Sequence, residues 1–254
     1  MHDVTQDTGS EIKFLSGPQS RWEELTFIVK VMFEFVRGFR ALHFVGPCVT
    51  FFGSPNFAEA HPYYSESRHI ARRVAQLGFT IMTGGGSGLM EAANRGAKEV
   101  GGRSVGCNIV SPDEQGPNKF LDKWVNIRYF FVRKTLLIKY SYAFIVLPGG
   151  FGTMGEFFEA VTLTQTKKIL QFPIIIFDRD FHKDLVDYLE WMKFKKTISE
   201  DDLKLILVTD SIHEAIDFIK EHSISKYGLL PERKRSPLRW LFERDWVARS
   251  NIKR

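Results

Sequence analysis

Short apolar runs and helical patterns alternate along the chain from Pro47 onward. The predicted strands are Cys48–Phe52, Phe79–Met82, Ser104–Asn108, Ala143–Leu147, Pro173–Phe177 and Leu205–Val208, with Trp124–Ile127 as a further short strand. Helical spacing covers Pro62–Leu77, Leu89–Val100, Phe131–Tyr140, Thr153–Thr166, Phe181–Met192 and Ser211–His222. The predicted strands are continuously apolar, as strands buried on both faces are, and their alternation with helices is typical of a parallel sheet. We therefore predict an α/β fold, a doubly wound parallel sheet with helices on both faces.

A separate helical pattern precedes this region, from Ser20 to about Leu42. Its main apolar stripe has three- and four-residue spacing, and further apolar residues lie off the stripe. The stripe comprises Leu25, Ile28, Val29, Met32, Phe35, Val36 and Phe39, and the residues beside it are Phe27, Val31 and Phe33. A helix that is apolar on more than one face has more than one surface to cover. We therefore expect a homo-oligomer, at least a dimer.

Charge is concentrated at the C-terminal end. The net charge is +5, and residues 231–254 carry eight basic and three acidic side chains, which already give +5. Residues 1–230 are balanced at 27 basic against 27 acidic residues, so their composition gives no argument for a nucleic-acid-binding face. The tail also carries large apolar residues after Pro237 at helical spacing. Docking on the body or on a neighbouring subunit is favoured over binding to an anionic membrane or a nucleic acid.

The remaining composition is that of a reduced, soluble protein of 254 residues. The apolar run Phe27–Val36 is interrupted by Lys30 and Glu34, and spanning a bilayer takes about 20 apolar residues. The first 20 residues lack the pattern of a signal peptide. The two cysteines, Cys48 and Cys107, lie in predicted strands and form no C-x-x-C motif. We expect a cytoplasmic protein that binds neither DNA nor a membrane.

Candidate chemistry lies in two glycine-rich segments that follow predicted strands and lead into helices. They are Thr83–Gly88 and Pro148–Thr153, and Gly53-Ser54 follows the first strand. Glycine lets the backbone approach a ligand, and a helix N-terminus offers free N–H groups to an anion. Neither segment is a P-loop or a G-x-G-x-x-G motif. Glycines can also serve only as tight turns, but two such loops at strand ends favour a bound phosphate.

Glu156 has two interpretations on spacing alone. Thr153 and Glu156 have the T-x-x-E spacing of a helix capping box, which would explain the glutamate without any chemistry. The alternative is a catalytic carboxylate beside the second glycine loop. The roles of Arg133 and Lys134 are also open, since a basic pair at the start of a helix can simply be solvated.

The segment from Pro148 to Glu156 resembles the P-G-G-x-G-T-x-x-E signature of the Lonely Guy family, cytokinin-activating nucleoside 5′-monophosphate phosphoribohydrolases long mislabelled lysine decarboxylases. Three further parts of the chain resemble the family: Phe52-Gly53-Ser54, the stretch from Gly84 to Ala93, and Arg133-Lys134; Thr162 to Gln165 is also similar. The resemblance covers roughly residues 46 to 222. The N-terminal helix and the basic tail resemble no part of the short plant-type members.

The resemblance implies a Rossmann-like fold and hydrolysis of the N-glycosidic bond of a nucleoside 5′-monophosphate, AMP or N6-modified AMP, to free base and ribose 5-phosphate. It implies catalytic roles for Glu156, which would stabilise the sugar cation, and Arg133, which would assist the leaving base. The implied substrate and phosphate contacts are Gly149, Gly150, Gly152, Thr153, Gly85 and Gly86, with Ser54, Met90 and Lys134 as further contacts. No metal or organic cofactor is expected.

With the resemblance, the chain divides into four parts. They are a flexible N-terminus over 1–18, an N-terminal helix over 19–45, a Rossmann-like nucleotide-binding catalytic domain over 46–222, and a basic amphipathic C-terminal tail over 223–254. Two other functions stay open: a nucleotide-binding or sensing module without turnover, and a broader purine or pyrimidine monophosphate nucleosidase. Lysine decarboxylation is not favoured, because no feature marks a lysine that would hold pyridoxal phosphate.

Overall fold

A computed structural model describes residues 8–110, 116–169, 173–204 and 206–225. The strands are β1 Cys48–Phe52, β2 Thr80–Thr83, β3 Ser104–Ile109, β4 Lys123–Ile127, β5 Ser141–Val146, β6 Ile174–Phe177 and β7 Ile206–Thr209. The helices are α1 Thr8–Leu15, α2 Arg21–Leu42, α3 Pro62–Gln76, α4 Leu89–Glu99, α5 Phe130–Tyr140, α6 Phe151–Gln165, α7 Lys183–Phe194, α8 Glu200–Leu203 and α9 Ile212–Ile219. A π-helical turn, Lys220–Ser225, follows α9.

The seven strands form one parallel sheet in the order β4-β3-β2-β1-β5-β6-β7. Helices α2, α5, α6 and α7 contribute to the apolar core on one face, and α3, α4 and α9 to the core on the other. The predicted α/β fold with a doubly wound parallel sheet is therefore confirmed. The strand order switches at β1, which has β2 on one side and β5 on the other. In open α/β sheets, the crevice at the carboxyl ends of the strands at such a point is where ligands bind.

The predicted N-terminal helix is present as α2, and its start is fixed by a capping box between Ser20 and Glu23. Its inner face packs on α5 and β4. Glu34 is buried there and accepts a hydrogen bond from the backbone N–H of Arg128 at 3.1 Å. Gly38 lies so close to Leu136 that a larger residue would collide with it. Because its inner face is held in this way, α2 presents the opposite face outward.

Three elements differ from those expected. Helix α1 lies within segment 1–18, whose flexibility stays a prediction. Helix α7 starts at Lys183, two residues later than expected, after a turn in which Asp178 has a φ of 79°. The one-turn helix α8 is too short to give a periodic signal. Residues 226–254, and so nearly all of the predicted tail, lie outside the described part of the chain. No helix in the described ranges is long and apolar enough to cross a membrane.

Candidate active site

The first glycine loop, residues 84–88, joins β2 to α4. Gly88 has a φ of 63°, and a Cβ there would lie 2.5 Å from the backbone of Ser54 and Pro55, so only glycine fits. Thr83 Oγ1 accepts a hydrogen bond from Gly85 N at 2.9 Å and donates one to Asn94 Oδ1 at 2.7 Å. The buried side chains of Thr83, at the end of β2, and Asn94, in α4, therefore fix the conformation of this loop.

Asn118 also stabilises the first glycine loop through hydrogen bonds. Its side-chain amide donates to the carbonyl oxygens of Gly85 at 3.1 Å and Gly86 at 2.9 Å, and to Asn94 Oδ1 at 3.0 Å. The backbone N–H of Asn118 also donates to Gly85 O at 2.9 Å. Sequence analysis missed Asn94 and Asn118, because single asparagines carry no spacing signal.

The second glycine loop joins β5 to α6, and it lies beside the loop that follows β1. Ser54 N donates to Pro148 O at 3.0 Å, and Ser54 O accepts from Leu89 N at 3.0 Å. The Oγ of Ser54 accepts a hydrogen bond from Asn56 N at 3.1 Å. The structure therefore brings the ends of β1, β2 and β5 together, as their predicted place at the carboxyl edge of the sheet requires.

Helix α6 begins at Phe151, with Gly150 as its N-cap and no side-chain cap. The predicted start at Thr153 was two residues late, so Thr153 lies in the first turn, and its buried side chain packs against Gly149. Gly152 also lies in this turn. A capping box needs the threonine at the N-cap, outside the helix. The capping explanation of Glu156 is therefore wrong.

Glu156 and Arg133 face each other from α6 and α5. Arg133 Nη1 lies 4.0 Å from Glu156 Oε1, and the two side chains are 14% and 4% exposed. Arg133 Nε donates to the carbonyl oxygen of Cys107 at 2.9 Å, which fixes the guanidinium. A Cβ on Gly84 would lie 2.5 Å from Arg133 Nη2 and 2.8 Å from Met90 Sδ. The guanidinium and Met90 therefore lie directly against the first glycine loop.

The carboxyl group of Glu156 is in an unfavourable environment for a charge. Burial raises its pKa to about 7, although the positive charges of Arg133 and Lys134 act in the opposite direction. Its Oε2 atom is buried and has no hydrogen-bond partner within the described part of the chain. A buried, unpaired acceptor with a pKa near neutrality is typical of functional carboxylates.

Lys134 points along α6. Its Nζ lies 2.7 Å from Glu159 Oε2 and donates to Gly155 O at 3.4 Å. The remaining candidates, Gly85, Gly86, Gly149, Gly150, Gly152 and Thr153, lie in the two loops or the first turn of α6. Among the described residues, no group of three His, Cys, Asp or Glu side chains is placed to hold a metal ion.

Residues 90–219 match the protein family described as possible lysine decarboxylase. A cytokinin riboside 5′-monophosphate phosphoribohydrolase from Mycobacterium tuberculosis is 30% identical, over 63% of this chain and 89% of the relative. The cytokinin riboside 5′-monophosphate phosphoribohydrolase LOG from Oryza sativa subsp. japonica is 25% identical, over 63% of this chain and 67% of the relative.

Solved structures share the fold at lower identity. The molybdenum cofactor binding protein from Rippkaea orientalis has a TM-score of 0.53 and 20% identity, over 69% of this chain and 96% of that chain. The molybdenum cofactor carrier protein from Chlamydomonas reinhardtii has a TM-score of 0.52 and 22% identity, over 71% of this chain and 99% of that chain. At such identities the likeness supports the α/β fold alone.

Proposed function

This chain belongs to the Lonely Guy family, described as possible lysine decarboxylase, and we propose that it hydrolyses the N-glycosidic bond of a nucleoside 5′-monophosphate. The products are the free base and ribose 5-phosphate. Curated relatives of the chain are named as phosphoribohydrolases, which supports the reaction class. AMP or an N6-modified AMP is the proposed substrate.

The observation that carries this proposal is the buried carboxyl group of Glu156, 4.0 Å from the Arg133 guanidinium at the switch point of the sheet. Cleavage of a glycosidic bond develops positive charge on the sugar ring. A carboxylate in a site with little water stabilises that charge strongly, and it can also orient the attacking water. In the proposed reaction, Glu156 therefore acts on the sugar ring.

In the proposed reaction, Arg133 acts on the leaving base. Its Nε–H is committed to the Cys107 carbonyl, so the guanidinium keeps a fixed orientation, with Nη2 directed toward Gly84. A departing base gains negative charge unless it is protonated, and a guanidinium beside it stabilises that charge. The two charged groups thus act on opposite sides of the bond that breaks.

The phosphate belongs at the start of α6. The first N–H groups of a helix have no partners within the helix, and Gly150 supplies no capping side chain. An anion with several acceptor oxygens can bind these groups and the positive end of the helix dipole. Thr153, two residues into the helix, adds a hydroxyl, and Gly85 and Gly86 lie in the loop alongside.

The deciding experiment incubates the protein with AMP, adenosine, ATP and N6-prenyl AMP and measures the release of free base by chromatography. Base should be released from the monophosphates. Adenosine should react poorly, because it lacks the 5′-phosphate whose binding energy assists the chemistry. ATP should also react poorly. Equal kcat/KM values for adenosine and AMP would contradict the phosphate assignment. Nucleotide binding without release of base from any monophosphate would instead favour a sensing module.

A further inference from the structure

Both polar atoms of the Asn118 side chain are engaged within the fold. The amide nitrogen donates to Gly85 O, Gly86 O and Asn94 Oδ1, and Oδ1 accepts a hydrogen bond from Phe120 N at 3.1 Å. The backbone N–H of Asn118 is also bound, by Gly85 O. An effect of this side chain on a bound substrate therefore passes through the residues that it holds, which are those of the first glycine loop.

The hydrogen bonds of Asn118 set the direction of two successive peptide groups. The carbonyl oxygens of Gly85 and Gly86 lie 3.1 and 2.9 Å from the same amide nitrogen, so both carbonyl groups point toward Asn118. In the described ranges every peptide bond is trans, and in a trans peptide the N–H points away from the carbonyl oxygen. The N–H groups of Gly86 and Ser87, which belong to these two peptides, therefore both point away from Asn118.

These two N–H groups are available to a ligand. Among the described residues, no group accepts a hydrogen bond from the N–H of Gly86 or of Ser87, whereas the N–H of Gly85 is bound by Thr83 Oγ1 at 2.9 Å. Gly86 is buried and Ser87 is half-buried. Buried backbone N–H groups almost always have an acceptor. The pair therefore indicates a place for an acceptor atom that a ligand supplies.

The position of the pair within the site indicates a phosphate as that ligand. At one end of the loop, Gly84 adjoins Arg133, the residue proposed to act on the base. At the other end, Ser87 Oγ donates to Pro55 O at 3.1 Å, in the segment that follows β1 and adjoins the second glycine loop. The two N–H groups are therefore at the end of the loop that is directed toward the start of α6, where the 5′-phosphate is proposed to bind.

We propose that Asn118 is a positioning residue for the 5′-phosphate of the substrate. By binding the carbonyl oxygens of Gly85 and Gly86, it directs the N–H groups of Gly86 and Ser87 toward a phosphate oxygen. Hydrogen bonds to such a charged oxygen are about twice as strong as those between neutral groups. This role rests on the proposed function, and it makes the preference for a monophosphate depend on a side chain that does not touch the substrate.

Asn118→Asp tests this role, because a carboxylate has nearly the shape of the amide but donates no hydrogen bond and repels the two carbonyl oxygens. At pH 8 the variant should lower kcat/KM for AMP by about 10–100-fold, the loss expected for hydrogen bonds to a charged group, and leave the value for adenosine nearly unchanged. Lys119→Gln removes one positive charge at the exposed neighbouring residue and should leave both values unchanged. An equal loss for AMP and adenosine, or an unchanged preference for AMP, would overturn the proposal.

A second variant and a binding measurement make the test independent of folding and of turnover. Asn118→Ala adds no charge and keeps the backbone hydrogen bond to Gly85 O, so it should weaken the preference for AMP less than Asn118→Asp does. In calorimetry, either variant should bind AMP more weakly than the unaltered protein and adenosine equally well. If the unaltered protein binds AMP but releases no base, the proposed hydrolysis fails, and these affinities still decide the role of Asn118. Equal affinities of the unaltered protein for AMP and adenosine would overturn that role.

Discussion

Replacing Glu156 by glutamine keeps the shape of the side chain and removes its charge. In the proposed reaction the carboxylate lies beside a sugar that becomes positively charged. At an effective dielectric constant of about 20, two unit charges about 4 Å apart attract by about 4 kcal/mol. Since each 1.4 kcal/mol or so changes a rate tenfold, we expect Glu156→Gln to lower kcat by about 10²–10³-fold. Nucleotide binding should be largely retained.

The same substitution should change stability in a pH-dependent way. Below the ordinary carboxyl pKa, Glu156 is protonated in both folded and unfolded chains. As the pH rises, the unfolded chain ionises first, and the folded chain follows only near its raised pKa of about 7. Folding stability of the unaltered protein therefore falls across this window, by about 3 kcal/mol in total, whereas glutamine has nothing to titrate.

The assay combines single-turnover release of adenine from AMP with urea unfolding at pH 5 and pH 8. The variant should lose turnover, and relative to the unaltered protein it should gain about 2.5 kcal/mol of unfolding free energy between the two pH values, because the unfolded chain is already largely ionised at pH 5. Glu190→Gln is the control, because that carboxylate lies on α7, is exposed and is paired with Lys193. Unchanged turnover in Glu156→Gln would refute the catalytic role. A stability difference independent of pH would refute the raised pKa.

Three further predictions follow from the same site and from the tail. In the unaltered protein, kcat/KM should rise as the pH passes through about 7, because the reaction needs ionised Glu156, and a profile flat from pH 5 to 9 would contradict this. Gly84→Ala should reduce base release with a smaller loss of thermal stability than Gly88→Ala, since a Cβ on Gly84 meets only side-chain atoms, of Arg133 and Met90, whereas a Cβ on Gly88 meets backbone. Deleting residues 231–254, which lie outside the described residues, should lower the melting temperature or change the oligomeric mass. If it instead removed only salt-sensitive binding to RNA or vesicles, the docking hypothesis would fail.

Much of the sheet was predictable because a strand buried on both faces leaves a strong local signal. The run Cys48–Phe52 matches β1 without change, and the other predicted strands shift by one or two residues. The order of the strands in the sheet was harder to predict from the sequence. The pairing of β1 with β5 joins segments that are about 90 residues apart, and periodicity contains no information about such contacts.

The start of α6 shows where local patterns mislead. The T-x-x-E spacing predicts a cap at Thr153, but Gly150 takes the N-cap position and the helix begins earlier. Packing of Thr153 against Gly149 requires the threonine inside the first turn, a contact that spacing cannot express. Asn118 was missed for a similar reason. Its three hydrogen bonds reach residues 24 to 33 positions away in the sequence.

The environment of Glu156 argues against a purely structural role. A capping carboxylate accepts backbone N–H groups in the first turn of a helix, and such bonds lower its pKa. Glu156 instead lies further along α6, is buried, has one oxygen with no hydrogen-bond partner among the described residues, and has a raised pKa. Each of these features costs folding stability, and Arg133, at 4.0 Å, offsets the cost only in part. Such destabilising groups are typical of sites where the protonation state of the group is needed for catalysis. The environment of Glu156 therefore supports its proposed action on the sugar.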